Sequence, residues 1–194
     1  MISINAIKQL REETDVSVTE CKKALVQANG DLGKAKEILR KWGQDLSGKR
    51  VEKEVKQGII EAYLHPNKKV GVLIELRCES DFVARSEGFQ KLAHEICLQI
   101  AAMKPLFLKA EDIPEAFLDG ERKIYAEQFK DSGKPQKIID QIIDNKLKKY
   151  TEEISLLTQL WIKDDTKTIK NLVDDFIAKT GENVVLRNFS RFAI

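Results

Sequence analysis

Histidine is nearly missing from this chain of 194 residues, which has two, His65 and His94, in different predicted elements. That leaves too few imidazoles at a useful spacing for a metal site, and no metal is expected. Nothing marks an activated nucleophile of the Ser/His or Cys/His kind either. Cysteine is scarce as well. Cys21, Cys78 and Cys97 are odd in number and widely spaced. No disulfide framework or zinc motif can be written for them, so they read as reduced, mostly buried thiols. No apolar run approaches the ~20 residues needed to cross a bilayer. The opening MISINAIKQLREE lacks the uninterrupted apolar segment of a secretory signal, so a soluble cytoplasmic protein without membrane contact is expected. An excess of one charge is missing too: 33 basic residues meet 31 acidic ones, for a net charge of +2. Such a balance does not mark a protein that works mainly on nucleic acid, and no direct nucleic-acid contact is expected. Neither G-x-x-x-x-G-K-[ST] nor G-x-G-x-x-G occurs, so no nucleotide cofactor has a phosphate loop to sit in. An enzyme is disfavoured, and a binding protein with two contact modules fits better.

What is present is a well-patterned globular chain. Hydrophobic residues make up 42% of it, enough for a core, and no repeat or low-complexity tract appears. Residues 3 to 13 predict a short helix with Ile4, Ile7 and Leu10 on one side. Ser17 followed by Glu20 has the capping-box spacing and predicts a helix from about Val18, with Cys21, Ala24, Leu25 and Ala28 inward. Asn29-Gly30 ends it, and Asp31 caps a third helix that carries Leu32, Ala35, Ile38 and Leu39 as far as Gly43. Residues 1–46 thus read as a three-helix module. Residues 47–57 read as a polar linker, with Lys49, Arg50, Lys53 and Lys56 interleaved with Glu52 and Glu54. Residues 58–194 read as an α+β domain, a small antiparallel sheet flanked by helices.

The second domain is organised around VGVLIELRCESDFVAR, from Val70 to Arg85. Val70, Val72, Ile74, Leu76 and Cys78 alternate with more polar neighbours, which marks a strand with one buried face. Its antiparallel partner is 58–65, across a turn at 66–69. Ser80 and Asp81 supply the oxygens that satisfy free amides where a helix begins. Phe82 then either folds back into its own core or enters a pocket on a partner, as aromatic anchors do. Ser86 predicts a fresh cap for a helix with Phe89, Leu92, Ala93, Ile96, Cys97, Ile100 and Ala101 on one face, stopped by Pro105. Further helices are expected from about Gly120 to Asp131 (Ile124, Tyr125 and Phe129 inward) and after Pro135 (Ile138, Ile139, Ile142, Ile143 and Leu147 buried). Residues 152–163 read as extended. A last helix carries Ile169, Leu172, Val173, Phe176 and Ile177 up to Gly181, and 183–194 predict a third strand.

The order of these residues resembles a known family. IKQLREETDVSVTECKKALVQANGDLGKAKEILRKWG is similar to the ubiquitin-associated-like N-terminal module of translation elongation factor Ts, and KVGVLIELRCESDFVAR to its hairpin strand and T-D-F-V corner, with Ser80 for the threonine. HEICLQIAAMKPLFL, SGKPQKIID, ISLLTQLWIKD and LRNFSRF follow in the family's order, so the resemblance spans essentially the whole chain, in the short form with one sheet subdomain. It implies guanine-nucleotide exchange on elongation factor Tu, in its GDP-bound and nucleotide-free states, without covalent chemistry. The exchange corner would be Ser80, Asp81, Phe82 and Val83, inserted near the magnesium and phosphate region of the GTPase. Contacts from the N-terminal module would come from Arg11, Val18 and Thr19, the last two standing where the family commonly has two methionines. A short form also implies a non-covalent homodimer, in which a second copy of the sheet takes the place of the longer members' second subdomain. The alternative reading is an adaptor that binds a partner helix or a ribosomal surface through the three-helix module. An RNA-associated role through Lys49, Arg50, Lys53 and Lys56 is the weakest.

Overall fold

The computed structural model describes residues 2–14, 16–50, 53–130, 132–133 and 135–194, with the backbone alone for 43–50. Asp15, Asp131 and Lys134 of the expected breaks, Val51 and Glu52 of the expected linker, and the side chains of Lys49 and Arg50 lie outside the described residues. The fold is α+β, and the chain divides into two compact units, one of residues 1–98 with 170–194 and one of 99–169.

In the first unit, α1 (Ile4–Thr14), α2 (Val18–Gln27) and α3 (Leu32–Arg50) form the expected three helices. Ser17 accepts the Glu20 amide at 3.3 Å, and its hydroxyl donates to the Glu20 carboxylate at 3.1 Å, so both capping residues satisfy each other at the start of α2. Asn29 and Gly30 turn the chain with φ of 52° and 86°, and the Gly30 amide returns to the Leu25 carbonyl at 2.8 Å, closing α2. The Asp31 carboxylate then accepts the Lys34 amide at 3.0 Å and opens α3. Leu10, Val16, Cys21, Ala24, Leu25, Ala28, Ala35 and Leu39 make one core, with Ile7, Leu32, Ile38 and Trp42 against it. Two expectations fail here. Ile4 is exposed rather than inward, and α3 does not stop at Gly43 but continues to Arg50.

Strands β1 (Gln57–Leu64), β2 (Val70–Cys78) and β5 (Val184–Ala193) form an antiparallel sheet in the order β1-β2-β5. Val72, Ile74, Leu76 and Cys78 are buried, as the alternation requires, and Leu76 and Cys78 face the buried Leu186 and Val184 across the ladder. A bulge at Glu75/Leu76 leaves Arg187 unpaired and shifts β5 by one residue. Helix α5 (Glu87–Met103) meets β1 through the Cys97 thiol and the Glu61 carbonyl, 3.8 Å apart, and packs on α8 (Ile169–Thr180), with the Phe89 and Phe176 rings 5.8 Å apart. The stripe of α5 is buried as its spacing predicts, from Phe89 to Ile100.

In the second unit, α6 (Glu115–Phe129) and α7 (Gln136–Ile154) pack through Tyr125 and Phe129 against Ile139, Ile143 and Leu147. Helix α6 starts five residues before the expected Gly120, directly after Pro114. Ile124 and Ile138 are exposed: the hairpin uses every fourth residue of α7, and the neighbouring isoleucines fall outside that seam. The expected extended segment 152–163 is also corrected. Its first residues complete α7, Ser155 makes a single parallel bridge with Phe107, a 3-10 turn follows at Leu156–Thr158, and Leu160–Trp161 (β3) pairs with Asp164–Thr168 (β4).

This unit is fastened by a buried amide. Gln99 is fully enclosed; its Nε2 donates to the Leu160 carbonyl at 3.0 Å and to Gln159 Oε1 at 3.1 Å, while its Oε1 accepts the Ile162 amide at 2.9 Å. Replacing one partner of a buried network strands the others. Gln99→Leu is expected to lower stability by about 2 kcal/mol, read as a shifted urea midpoint at unchanged slope.

Candidate exchange corner

The β2 strand ends at Cys78 and, after Glu79 and Ser80, the four-residue helix α4 (Asp81–Ala84) begins. Ser80 caps it as the sequence predicts, accepting the Val83 amide at 3.3 Å. Val83 and Ala84 turn inward and are buried, so Val83 anchors the corner to its own domain rather than facing outward. Phe82 does the opposite. It is 83% exposed, which removes the reading that folds it back into the core. Leaving a phenylalanine in water forgoes about 2 kcal/mol of burial, so its position needs another reason. Asp81 beside it is exposed and pairs with Arg85 at 3.3 Å, one helical turn on. The tip is therefore an aromatic ring flanked by an anion and a cation, and none of the three is used by the core.

The base of the corner is tied in by residues distant in sequence. Helix α8 ends at Gly181, whose φ of 70° a residue with a Cβ adopts only at a cost, and whose amide returns to the Ile177 carbonyl at 2.8 Å. That turn delivers Glu182 to the corner. Its Oε2 accepts the Ser80 amide at 3.0 Å and its Oε1 accepts the Ser80 hydroxyl at 2.6 Å. In return Glu79 Oε1 accepts the Asn183 amide at 2.6 Å, and Glu79 Oε2 meets Lys53 Nζ at 3.4 Å. Asn183 Nδ2 reaches the Lys53 carbonyl at 3.0 Å, so the segment after the three helices is held at the same place. Neither Glu182 nor Asn183 stood out in the sequence, and Lys53 did so only as a linker cation, because a separation of 102 residues between Ser80 and Glu182 leaves no periodic trace.

The N-terminal residues are on the surface. Arg11 is exposed in the last turn of α1, and Val18 and Thr19 are exposed at the start of α2. Thr19 also lines a shallow groove with Lys22, Lys23, Val26, Gln27 and Trp42. The signal for it was present: Thr19, Lys22, Lys23 and Val26 form the outer stripe of α2 at helical spacing, and Val26 is an apolar residue on that outer face.

The histidines meet around one tyrosine. Tyr63 Oη lies 2.8 Å from His65 Nδ1, the His94 ring stands edge-on to Tyr63 at 5.9 Å, and His94 Nδ1 lies 3.3 Å from Glu61. Among the described residues no group of three or more His, Cys, Asp or Glu is placed to hold a metal ion. All three cysteines are buried and free. Burial, with Glu61 nearby, pushes the Cys97 thiol up to about 12, and burial, with Glu182 nearby, pushes Cys78 up to about 11. Both stay protonated thiols at neutral pH. An aromatic disulfide reagent at pH 8 is expected to label the folded protein slowly and to release three equivalents promptly once urea unfolds it.

Among the described residues no helix is long and apolar enough to cross a membrane. Comparison with known proteins matches residues 3–194 to the family model for elongation factor Ts. The chain is 46% identical over 194 residues to elongation factor Ts of Thermosipho melanesiensis, covering 100% of this chain and 99% of that one. It is 47% identical over 193 residues to elongation factor Ts of Thermotoga maritima, covering 100% and 96%. To that of Coprothermobacter proteolyticus it is 46% identical over 193 residues, covering 100% and 98%. With a family model spanning almost every residue and relatives matched along nearly their full length, the chain belongs to the elongation factor Ts family.

Proposed function

We propose that the protein is the guanine-nucleotide exchange factor of elongation factor Tu, and that the corner at 80–83 carries the exchange. Family membership supports the partner, and the observation that supports the site is the exposed Phe82 on a corner fixed from below. Phe82 enters between helices of the GTPase with Asp81 beside it, and the displacement weakens the magnesium and phosphate contacts that hold GDP. Val83 supports this from inside the domain. Arg11, Val18 and Thr19, with the groove beside Thr19, hold the partner at a second place. Both the GDP-bound and the nucleotide-free GTPase bind, the second more tightly. If the factor lowers GDP affinity by some ratio, GDP lowers the factor's affinity by the same ratio.

The test is release of a fluorescent GDP from elongation factor Tu. Substoichiometric protein should accelerate full release, because each molecule turns over. An adaptor working through the three-helix module would bind the same GTPase and leave the release rate unchanged.

The homodimer belongs to this reading. The outer face of the sheet carries exposed Ile60, Leu64, Leu73 and Phe192, with Gly71 paired between Leu64 and Phe192. A sheet with three strands and one such apolar face gains from a second copy laid against it. The expected species at tens of micromolar has twice the chain mass of 22.1 kDa, and Leu73→Asp should return it to one. Sedimentation at 22.1 kDa for the unmodified protein would count against the dimer.

A further inference from the structure

We infer that Glu182 is a positioning residue for nucleotide exchange, acting through Ser80 on the direction in which Asp81 and Phe82 are presented. The inference rests on the reading of the corner as the exchange element. Phe82 is 83% exposed, so no packing in its own domain fixes where the ring points. Its aim is inherited from the backbone of residues 80 to 83. The Cys78 thiol donates to the Ser80 carbonyl at 3.1 Å and the Ser86 hydroxyl to the Val83 carbonyl at 2.7 Å, and two further features hold that backbone. Val83 and Ala84 are buried beneath it, and the Glu182 carboxylate grips Ser80 from behind with both oxygens, at 3.0 Å on the amide and 2.6 Å on the hydroxyl.

The grip also settles the cap. A serine hydroxyl rotates freely unless its proton has a strong acceptor. With the proton committed to Glu182 Oε1, the oxygen's lone pairs are left for the Val83 amide, which it accepts at 3.3 Å. The cap bond and the carboxylate bond therefore support each other along one chain, from Glu182 through Ser80 to Val83. The Ser80 amide, which precedes the helix and has no partner in it, is satisfied by the same carboxylate. Glu182 is itself placed by the left-handed turn at Gly181, and the reciprocal bond from the Asn183 amide to Glu79 locks the two loops side by side. This pair of loops continues the β2–β5 ladder directly past its last pairing, Cys78 with Val184.

Removing the carboxylate frees the corner without touching any exposed residue. Glu182→Ala is expected to lower the maximum rate of stimulated GDP release by about tenfold, the worth of charge-assisted hydrogen bonds. The factor concentration at half-maximum should move by less than about twofold, because the contacts of the N-terminal module remain. Glu182→Gln keeps one acceptor, for either the Ser80 amide or its hydroxyl, and loses the charge, so it should recover only part of the rate. In a Ser80→Ala background, where only the amide bond is left to lose, Glu182→Ala should cost about threefold rather than tenfold. A purely structural role would lower the melting temperature, leave the maximum rate alone and show no coupling to Ser80. Unchanged release in Glu182→Ala with release lost in Phe82→Ala would overturn this inference and leave the corner standing. Unchanged release in both would remove the corner reading and this inference with it.

Discussion

Phe82→Ala should slow stimulated GDP release from elongation factor Tu by at least tenfold while leaving the melting temperature within about one degree of the parent. An interface aromatic that acts as an anchor is worth ~2 kcal/mol or more, which is about thirtyfold in binding. The stability half of the expectation follows from exposure. A side chain 83% in water has little burial to lose, and surface changes of that kind stay within about 0.5 kcal/mol. The two readouts therefore separate cleanly. A drop of several degrees with a proportionate fall in exchange would mean that Phe82 supports its own domain, and the corner would lose its assigned role. Ser80→Ala should show the opposite balance. It removes a helix cap worth about 1 kcal/mol and one of the two bonds to Glu182, so stability and exchange fall together.

The corner was legible because it is local. The alternation from Val70 to Cys78, its end at Glu79, and the cap at Ser80 are consecutive, and each is a short-range rule that the fold obeys. The stripe of α5 was legible for the same reason, since residues at helical spacing bury together whatever they meet. What was not legible is contact at long range. Nothing near Glu182 says that it reaches Ser80, and nothing near Gln99 says that an enclosed amide waits for Ile162. The boundaries that moved did so for physical reasons. Gly43 costs α3 about 1 kcal/mol against alanine, a penalty that a helix already packed through Ala35, Leu39 and Trp42 absorbs. Ile154, Leu156 and Leu157 belong to an apolar run that reads as extended, yet Ile154 closes α7 and the other two sit in a single 3-10 turn. Short apolar runs do not distinguish those outcomes. The charges of Glu79, Asp81 and Arg85 around Phe82 favour the surface over the core, and the geometry of the turn decides it.

Cutting the chain between the three helices and the sheet should cost about a hundredfold in affinity for the GTPase, or ~2.7 kcal/mol, and leave the remainder folded. The basis is that the module closes its own core. Every residue of that cluster, from Ile2 to Trp42, lies in the first three helices or in the short segments beside them. The cut belongs after Arg50 and not after residue 46, since α3 runs four residues further than the expected boundary. It must also spare Lys53 and Val55. Val55 is buried, and Lys53 is bound by Asn183 and Glu79 at the base of the corner, so a deeper cut would disturb the exchange element itself. A protein beginning at Lys53 should then melt cooperatively. It should need about a hundred times more factor for half-maximal release while keeping a measurable maximum rate, because the corner is intact and only the second hold on the partner is gone. Loss of the cooperative melt would show that the helices are part of the sheet's stability. Unchanged half-saturation would show that Arg11, Val18, Thr19 and the groove beside them do not touch the GTPase.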